Sequence, residues 1–301
     1  MSWDTVVSSG KKPVTRCFNV VFGSGKMLAK WTILRHNPPL MDVEIRNAQG
    51  ERLDYSFSAG SSKSPFTVII GHGVTANKDR PFVVALAMGL AAAGISTLRF
   101  SFSGNGDSEG RFEDSCITKQ VEDLGEVIDA VHQQGRRIVY VGHSMGGAVG
   151  VKRAAVDERI ELLVSLAGMV HTKKFVELEF GEETPGVGFM WGKEECPLSQ
   201  SFVEDMNSVG TVIGLGASVN VPWLLVHGTA DDVVPIEESR EIYEQANEPK
   251  ELVEINNCDH VFDPETDAES LPTMVRKVSE WLMPKIMPNV VSRESSSTQN
   301  Q

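Results

Sequence analysis

The sequence predicts an α/β protein, in which a mainly parallel β-sheet carries helices on both faces. From residue 41 onward, short runs of β-branched and aromatic residues alternate with longer segments of helical periodicity. Strands that alternate with helices form a parallel sheet with right-handed crossovers. A length of 301 residues and a hydrophobic content of 41% allow a large buried core.

The alternating region begins with a hairpin. The segment MDVEIRNAQGERLDYSF predicts two strands around a turn at residues 47–50. Two further strands, FTVIIGHG and STLRFSF, flank a helix in NKDRPFVVALAMGLAAAG, where Pro81 is tolerated in the first turn and Gly94 ends the helix. The segment CITKQVEDLGEVIDAVHQQG predicts a second helix with one apolar face, which Gly135 ends.

The second half of the chain continues the alternation, with one interruption. It contains the strands RRIVYVGHS, IELLVSLAG, PWLLVHG and KELVEIN, and the helices MGGAVGVKRAAV, IEESREIYEQAN and LPTMVRKVSEWLM. Residues 172–220 break the rhythm and are too long for a passive loop, so we expect a cap inserted into the core. The predicted core therefore comprises residues 41–171 and 221–286.

The two ends of the chain differ from the core in composition. Residues 1–40 contain six Lys and Arg against one acidic residue, although the whole chain has a net charge of −13. We expect a basic extension outside the core: a disordered leader, an upstream start before Met41, or an organelle transit peptide. Residues 287–301 are polar and Ser-rich, which predicts a disordered tail. The expected location is the cytoplasm, or an organelle if the extension is a transit peptide.

Composition and motifs argue against several classes of function. The negative net charge disfavours nucleic acid and anionic membranes as partners, because both need a basic face. No run approaches the roughly 18 apolar residues of a membrane span. The four cysteines lie far apart without CxxC or His-rich spacing, so we expect no metal site. The glycines of RFSFSGNGDSEGRF lack the spacing of a phosphate-binding loop, and we expect no cofactor.

The segment VYVGHSMGGAVG carries the first indication of chemistry. Its GHSMG matches the pattern G-x-S-x-G, with Ser144 between a predicted strand and a predicted helix. A serine on such a tight turn projects its hydroxyl above the sheet, and the strained backbone tolerates only small neighbours. The glycines that follow are explained if the helix packs closely on the sheet. We therefore interpret Ser144 as a nucleophile rather than a turn residue.

A serine nucleophile needs a base and an orienting acid. Asp231 follows the strand PWLLVHG, and His260 follows the strand KELVEIN, in the chain order serine, acid, histidine. Both positions lie just past strand ends, where side chains reach the same edge of a parallel sheet. Asp232 is the rival acid, and we expect it instead to cap the segment VVPIEESREIY. Asp259 adjoins the histidine.

An acyl-transfer site also needs N–H donors for an oxyanion. One candidate is the N–H of Met145, directly after the nucleophile, and the other is the N–H of Val74 in the loop IIGHGVTANKD. In that loop His72 is interpreted as a structural hydrogen-bonding residue, with a second catalytic base as the alternative.

Taken together, the motifs resemble the α/β-hydrolase superfamily, in the group of S33-type peptidases and small esterases. GHGVTANKD, SFSGNGDSEG, GHSMGG, HGTADDVVP and CDHVF follow the family order over roughly residues 42–284. The resemblance implies an eight-stranded sheet with an inserted cap, and it supports Asp231 as the acid. The segments HGVTANKD and PLSQSFVEDM are most similar to cinnamoyl and feruloyl esterases. Asn105 and Ser101 depart from the His and Asp that relatives often carry.

The expected function is a cofactor-free serine hydrolase that acts on a small-molecule carboxylic ester through an acyl-enzyme. In the cap, Phe189, Met190 and Trp191 are candidates for the lining of the acyl pocket, with a plain core role as the alternative. The same triad would also serve a peptidase, a thioesterase or an acyltransferase. The fold can also serve as a slow-turnover ligand receptor, so these alternatives stay open on the sequence alone.

Overall fold

The computed structural model describes residues 43–61 and 64–287. The predicted basic extension, residues 1–40, lies outside the described residues, as does all but the first residue of the predicted tail. In chain order the strands are β1 (Ile45–Arg46), β2 (Arg52–Leu53), β3 (Tyr55–Ser58), β4 (Phe66–Gly71), β5 (Ser96–Phe100), β6 (Arg137–His143), β7 (Ile160–Leu166), β8 (Trp223–Gly228) and β9 (Lys250–Ile255). The helices are α1 (Pro81–Ala92), α2 (Ile117–Gln133), α3 (Met145–Ala154), α4 (Thr172–Phe180), α5 (Gln200–Val209), α6 (Ile236–Gln245) and α7 (Ser270–Ile286).

The central sheet has the strand order β3-β5-β4-β6-β7-β8-β9. Its strands are parallel except for β3, which pairs antiparallel with β5. We expected eight strands, but the described residues contribute seven to this sheet. The difference arises because β1 and β2 pair with each other as a separate antiparallel hairpin. The predicted α/β class and mainly parallel sheet are confirmed.

Helices cover both faces of the sheet. One face packs against α1 and α7, and the other against α2, α3 and α6. Strands β4 and β8 are buried at every position, as a strand covered on both faces must be. The helix ends follow local sequence: α1 has Pro81 at its first position, and Gly94 and Gly135 adopt positive φ just after α1 and α2.

The predicted cap segment, residues 172–220, runs between β7 and β8. It contains α4, α5 and two 3₁₀ turns, Met190–Gly192 and Ile213–Ser218. It is tied to the core through Asp205, whose carboxylate accepts hydrogen bonds from the N–H and hydroxyl of Thr118. Because parallel strands end at a common edge, the loops after β4, β6, β8 and β9 all open beside this segment.

No helix in the described part of the chain is both long and apolar enough to cross a membrane.

Candidate active site

Ser144 lies on a strained turn between β6 and α3. Its backbone has φ 53° and ψ −122°, an uncommon conformation for a residue with a side chain. The turn is held by its own main chain: Ser144 N–H donates to Leu166 O at 3.0 Å, and Ser144 O accepts from Gly147 N–H and Met169 N–H at 2.8 and 3.0 Å. The hydroxyl is therefore presented at the carboxyl end of a central strand while the backbone polar groups are satisfied.

The glycines around this turn are required by close packing. A Cβ at Gly142 would lie 2.1 Å from Gly146 O, and one at Gly147 would lie 2.8 Å from the Cα of Gly168. Contacts below 3.0 Å are essentially never made by real Cβ atoms. The interpretation of these glycines as a packing requirement is confirmed.

Asp231 follows β8 and has a fully buried carboxylate. Its Oδ1 accepts the N–H groups of Val233 and Val234 at 3.0 and 2.8 Å, and its Oδ2 faces His260 Nδ1 at 2.8 Å and His227 Nε2 at 3.1 Å. Burial alone would raise the pKa of Asp231. The hydrogen bonds from His227, His260 and Val234 outweigh burial and hold that pKa well below its usual range.

His260 follows β9 and is 9% exposed. Its backbone O accepts a hydrogen bond of 2.8 Å from His143 Nε2, and the two imidazole centroids are 4.7 Å apart. Since His143 directly precedes Ser144, this contact places His260 beside the turn. In the described part of the chain no hydrogen bond joins Ser144 Oγ to the His260 ring; such bonds are often long before substrate binds.

His143 is itself uncharged at neutral pH. Burial and the nearby His260 lower its pKa to about 3. Its Nε2 faces a carbonyl oxygen and must therefore carry the proton. The neutral His143 ring therefore packs against the His260 ring.

The loop after β4 passes directly over Ser144. A Cβ at Gly73 would lie 2.7 Å from Ser144 Cβ and 3.1 Å from its Oγ. The next N–H along the chain is that of Val74, which makes no main-chain hydrogen bond within the described residues. Met145 N–H, at the first position of α3, has no intrahelical acceptor either. Neither predicted oxyanion donor is therefore engaged by a main-chain acceptor in the described residues.

His72 has a structural place in this loop. Its Nδ1 donates to Gly73 O at 2.9 Å, and its Nε2 accepts from Phe102 N–H at 3.1 Å. Burial lowers the pKa of His72 to about 4. With both ring nitrogens engaged and no charge at neutral pH, His72 fixes the loop rather than acting as a second base.

A narrow cavity of about 10 Å³ borders the two oxyanion candidates, with room for about one water-sized group. Besides Val74 and Met145 it is lined by Thr75, Asn105, Phe112, Ser115, Gln120, Met190 and Phe202. Of the three predicted pocket residues only Met190 lines this cavity. Phe189 and Trp191 are 37% and 40% exposed; the Trp191 ring packs against Phe180, and its Nε1 donates to Glu179.

Three neighbours of the predicted triad have other environments. Asp232 is exposed, and the expectation that it caps the following segment is wrong, because the N–H groups of Val233 and Val234 bind Asp231 instead. Asp259 accepts bonds from the loop after it, including Asp263 N–H at 2.9 Å. Cys258 is fully buried, and burial raises the pKa of its thiol to about 11.

The sequence interpretation missed His227, which contacts the predicted acid from inside the protein. A signal was present in the segment HGTADDVVP, where a histidine ends a buried strand four residues before the acid. No group of three His, Cys, Asp or Glu side chains in the described residues is arranged to hold a metal ion.

Comparisons with known proteins show which families and structures this chain is similar to. The family described as serine aminopeptidase, S33, matches residues 63–185. An uncharacterized protein of Mycobacterium tuberculosis is 28% identical over 230 residues, which cover 76% of this chain and 74% of that protein. Human palmitoyl-protein thioesterase ABHD10, mitochondrial, is 32% identical over 160 residues, about half of each chain.

Two solved structures show the same fold. The esterase Est1E from Butyrivibrio proteoclasticus, with ferulic acid bound, has a TM-score of 0.69 and 24% identity, covering 81% of this chain and 99% of its own. Mouse alpha/beta hydrolase domain-containing protein 10 has a TM-score of 0.65 and 19% identity, covering 80% and 97%. The expected α/β-hydrolase fold is confirmed.

Proposed function

We propose that this chain, which has the α/β-hydrolase fold, is a serine hydrolase that cleaves small carboxylic esters through an acyl-enzyme. The observation that carries this proposal is the 2.8 Å contact between Asp231 Oδ2 and His260 Nδ1 beside the Ser144 turn. These side chains come from three separate loops, and a purely structural role does not account for their order and their common edge.

The proposed reaction has two halves. Ser144 Oγ attacks the ester carbonyl carbon while His260 Nε2 takes the hydroxyl proton, and the anionic oxygen binds the N–H groups of Met145 and Val74. Collapse of the tetrahedral species expels the alcohol, which receives that proton from His260. Water, deprotonated by His260, then attacks the acyl-enzyme, and the acid is released as Ser144 Oγ takes that proton back from His260. Asp231 stays ionised throughout and stabilises the imidazolium.

Two features support the anionic role of Asp231. Its lowered pKa keeps the carboxylate charged over the working pH range of most enzymes. Its Oδ1 is fixed by two backbone N–H groups, so the oxygen that faces His260 has a defined direction. A catalytic carboxylate that only orients a histidine needs both properties.

The proposal is tested with purified protein on p-nitrophenyl acetate and p-nitrophenyl butyrate. We expect turnover by the wild type, and labelling of Ser144 alone by a fluorophosphonate probe. Absence of turnover and of labelling would favour a slow ligand receptor on the same fold. Labelling of a different serine would contradict the assignment of the nucleophile.

Thioester hydrolysis is a second candidate, favoured by the 32% identity to the human palmitoyl-protein thioesterase. Matched oxygen and sulfur esters of butyrate separate the two activities, since only the leaving atom differs. We expect a short acyl group to be preferred, because the cavity beside the proposed oxyanion donors has room for only about one water-sized group. A palmitoyl ester hydrolysed faster than a butyryl ester would reverse that preference.

The cytoplasmic location and the lack of nucleic-acid partners stay predictions.

A further inference from the structure

A second histidine contacts the acid of the proposed triad. His227, near the end of β8, is fully buried, and its Nε2 lies 3.1 Å from Asp231 Oδ2 and 2.9 Å from Val234 O. A carboxylate oxygen and a carbonyl oxygen both only accept hydrogen bonds. The proton of His227 must therefore be on Nε2, from which it is shared between these two acceptors.

The other nitrogen of His227 is occupied by a serine. Ser239 on α6 is 1% exposed, and its Oγ lies 2.7 Å from His227 Nδ1. In a neutral ring protonated on Nε2, Nδ1 can only accept, so the Ser239 hydroxyl donates to it. Ser239 thus holds His227 in the tautomer that faces the acid.

Asp231 Oδ2 is consequently shared by two imidazole N–H groups, from His260 and His227, while Oδ1 binds two backbone N–H groups. We propose that His227 and Ser239 form a positioning pair. The pair keeps the Asp231 carboxylate ionised and turned toward His260, and it reduces the negative charge that His260 experiences. This inference rests on the proposed function.

Other titratable groups surround the pair and stay unchanged in the test. Glu254 of β9 interacts electrostatically with His227, and His143 of β6 and Cys258 of the loop after β9 interact with Asp231. A change in pH dependence that follows substitution of His227 or Ser239 alone is therefore assigned to the pair.

The test measures the rate of fluorophosphonate labelling of Ser144 in the full chain from pH 5 to pH 9. In His227→Leu the carboxylate loses one of two imidazole donors, so we expect labelling at least roughly tenfold slower. The pH profile of labelling should also change, because the Asp231 carboxylate that faces His260 then has one hydrogen-bond donor fewer. His227→Gln keeps an N–H near the position of Nε2 and should restore most of the rate.

Ser239→Ala removes only the hydroxyl and should change the profile in the same way by a smaller amount. The matched control is Ser165→Ala on β7: Ser165 is also buried and accepts a hydrogen bond from Trp223 Nε1, but makes no hydrogen bond with Asp231 in the described part of the chain. The inference is overturned if His227→Leu, His227→Gln and Ser239→Ala all label like the control at every pH. If His227→Leu does not fold, Ser239→Ala decides. A wild type that is not labelled contradicts the proposed function, and this inference fails with it.

Discussion

The turn at Ser144 and the turn at Asp231 both present one side chain at the carboxyl edge of the sheet, but they are held in different ways. The Ser144 turn is fixed by close backbone packing, in which no Cβ fits at Gly142 or Gly147. The Asp231 turn is fixed by hydrogen bonds to a buried carboxylate. A turn held by close packing has no room for an added atom. A turn held by hydrogen bonds to a carboxylate depends on the charge of that carboxylate and therefore on pH.

Substitution of the nucleophile should have the largest effect on activity. Ser144→Ala removes the attacking oxygen, and we expect ester turnover to fall by roughly 10⁴-fold or more. Because the turn is held by its main chain, the urea unfolding midpoint should change little. An alanine variant with wild-type turnover would show that the strained turn serves structure alone.

Substitution of the proposed acid tests the Asp231 turn, which is held by hydrogen bonds. Asp231→Asn should lower kcat by about 10³- to 10⁴-fold, because a neutral amide can no longer hold the imidazolium. Asp232→Asn is the matched control, since that side chain is exposed, and should stay within about twofold of wild type. Equal losses in the two variants would leave the choice of Asp231 unsupported. Steady-state kinetics on p-nitrophenyl butyrate gives the measurement.

An added methyl group tests the close packing of the Ser144 turn. In Gly142→Ala the new Cβ would lie 2.1 Å from Gly146 O, which is backbone and cannot rotate away. We expect a loss of about 3 kcal/mol in the free energy of unfolding, together with loss of turnover. Gly214→Ala is the control, because nothing lies within 4 Å of a Cβ at that position. Urea denaturation of both variants measures the difference.

The smallest expected effect of a substitution comes from the removal of one buried histidine of the site, which should change the pH dependence of stability. The pKa values of His72 and His143 are lowered to about 4 and about 3, below the ordinary value near 6.5. Between those values the unfolded chain binds protons that the folded chain excludes, so stability is present above about pH 6.5 and declines as the pH falls.

Each of these histidines should contribute a slope of up to about 1.4 kcal/mol per pH unit in that window. Urea unfolding at pH 7 and pH 5 measures it, with His72→Gln expected to show a shallower loss than wild type. Identical slopes for wild type and His72→Gln would mean that folding does not prevent the protonation of His72. Asp231, whose pKa is lowered, adds stability that is lost only at still lower pH.

How much of this was predictable depends on how local each feature is. The Ser144 turn was visible in twelve consecutive residues, since its steric requirement appears directly as glycines. Asp231 and His260 were selected as candidates because strand ends deliver side chains to one edge of the sheet, and they lie in contact with each other. The number of strands in the central sheet was not predicted correctly, because two-residue strands such as β1 and β2 give no signal of which sheet they join.

The sequence by itself determined the α/β class, the mainly parallel sheet and the order of serine, acid and histidine, because periodicity and glycine placement are local consequences of backbone geometry. Only the tertiary structure decided that Asp231 rather than Asp232 accepts the N–H groups of its turn. It also decided that His227 contacts the Asp231 carboxylate and that Ser239 contacts His227. The packing of the Trp191 ring within the cap segment was likewise decided only there. Those contacts join residues from different elements. Their energies depend on burial and on the direction of each hydrogen bond, which no run of adjacent residues specifies.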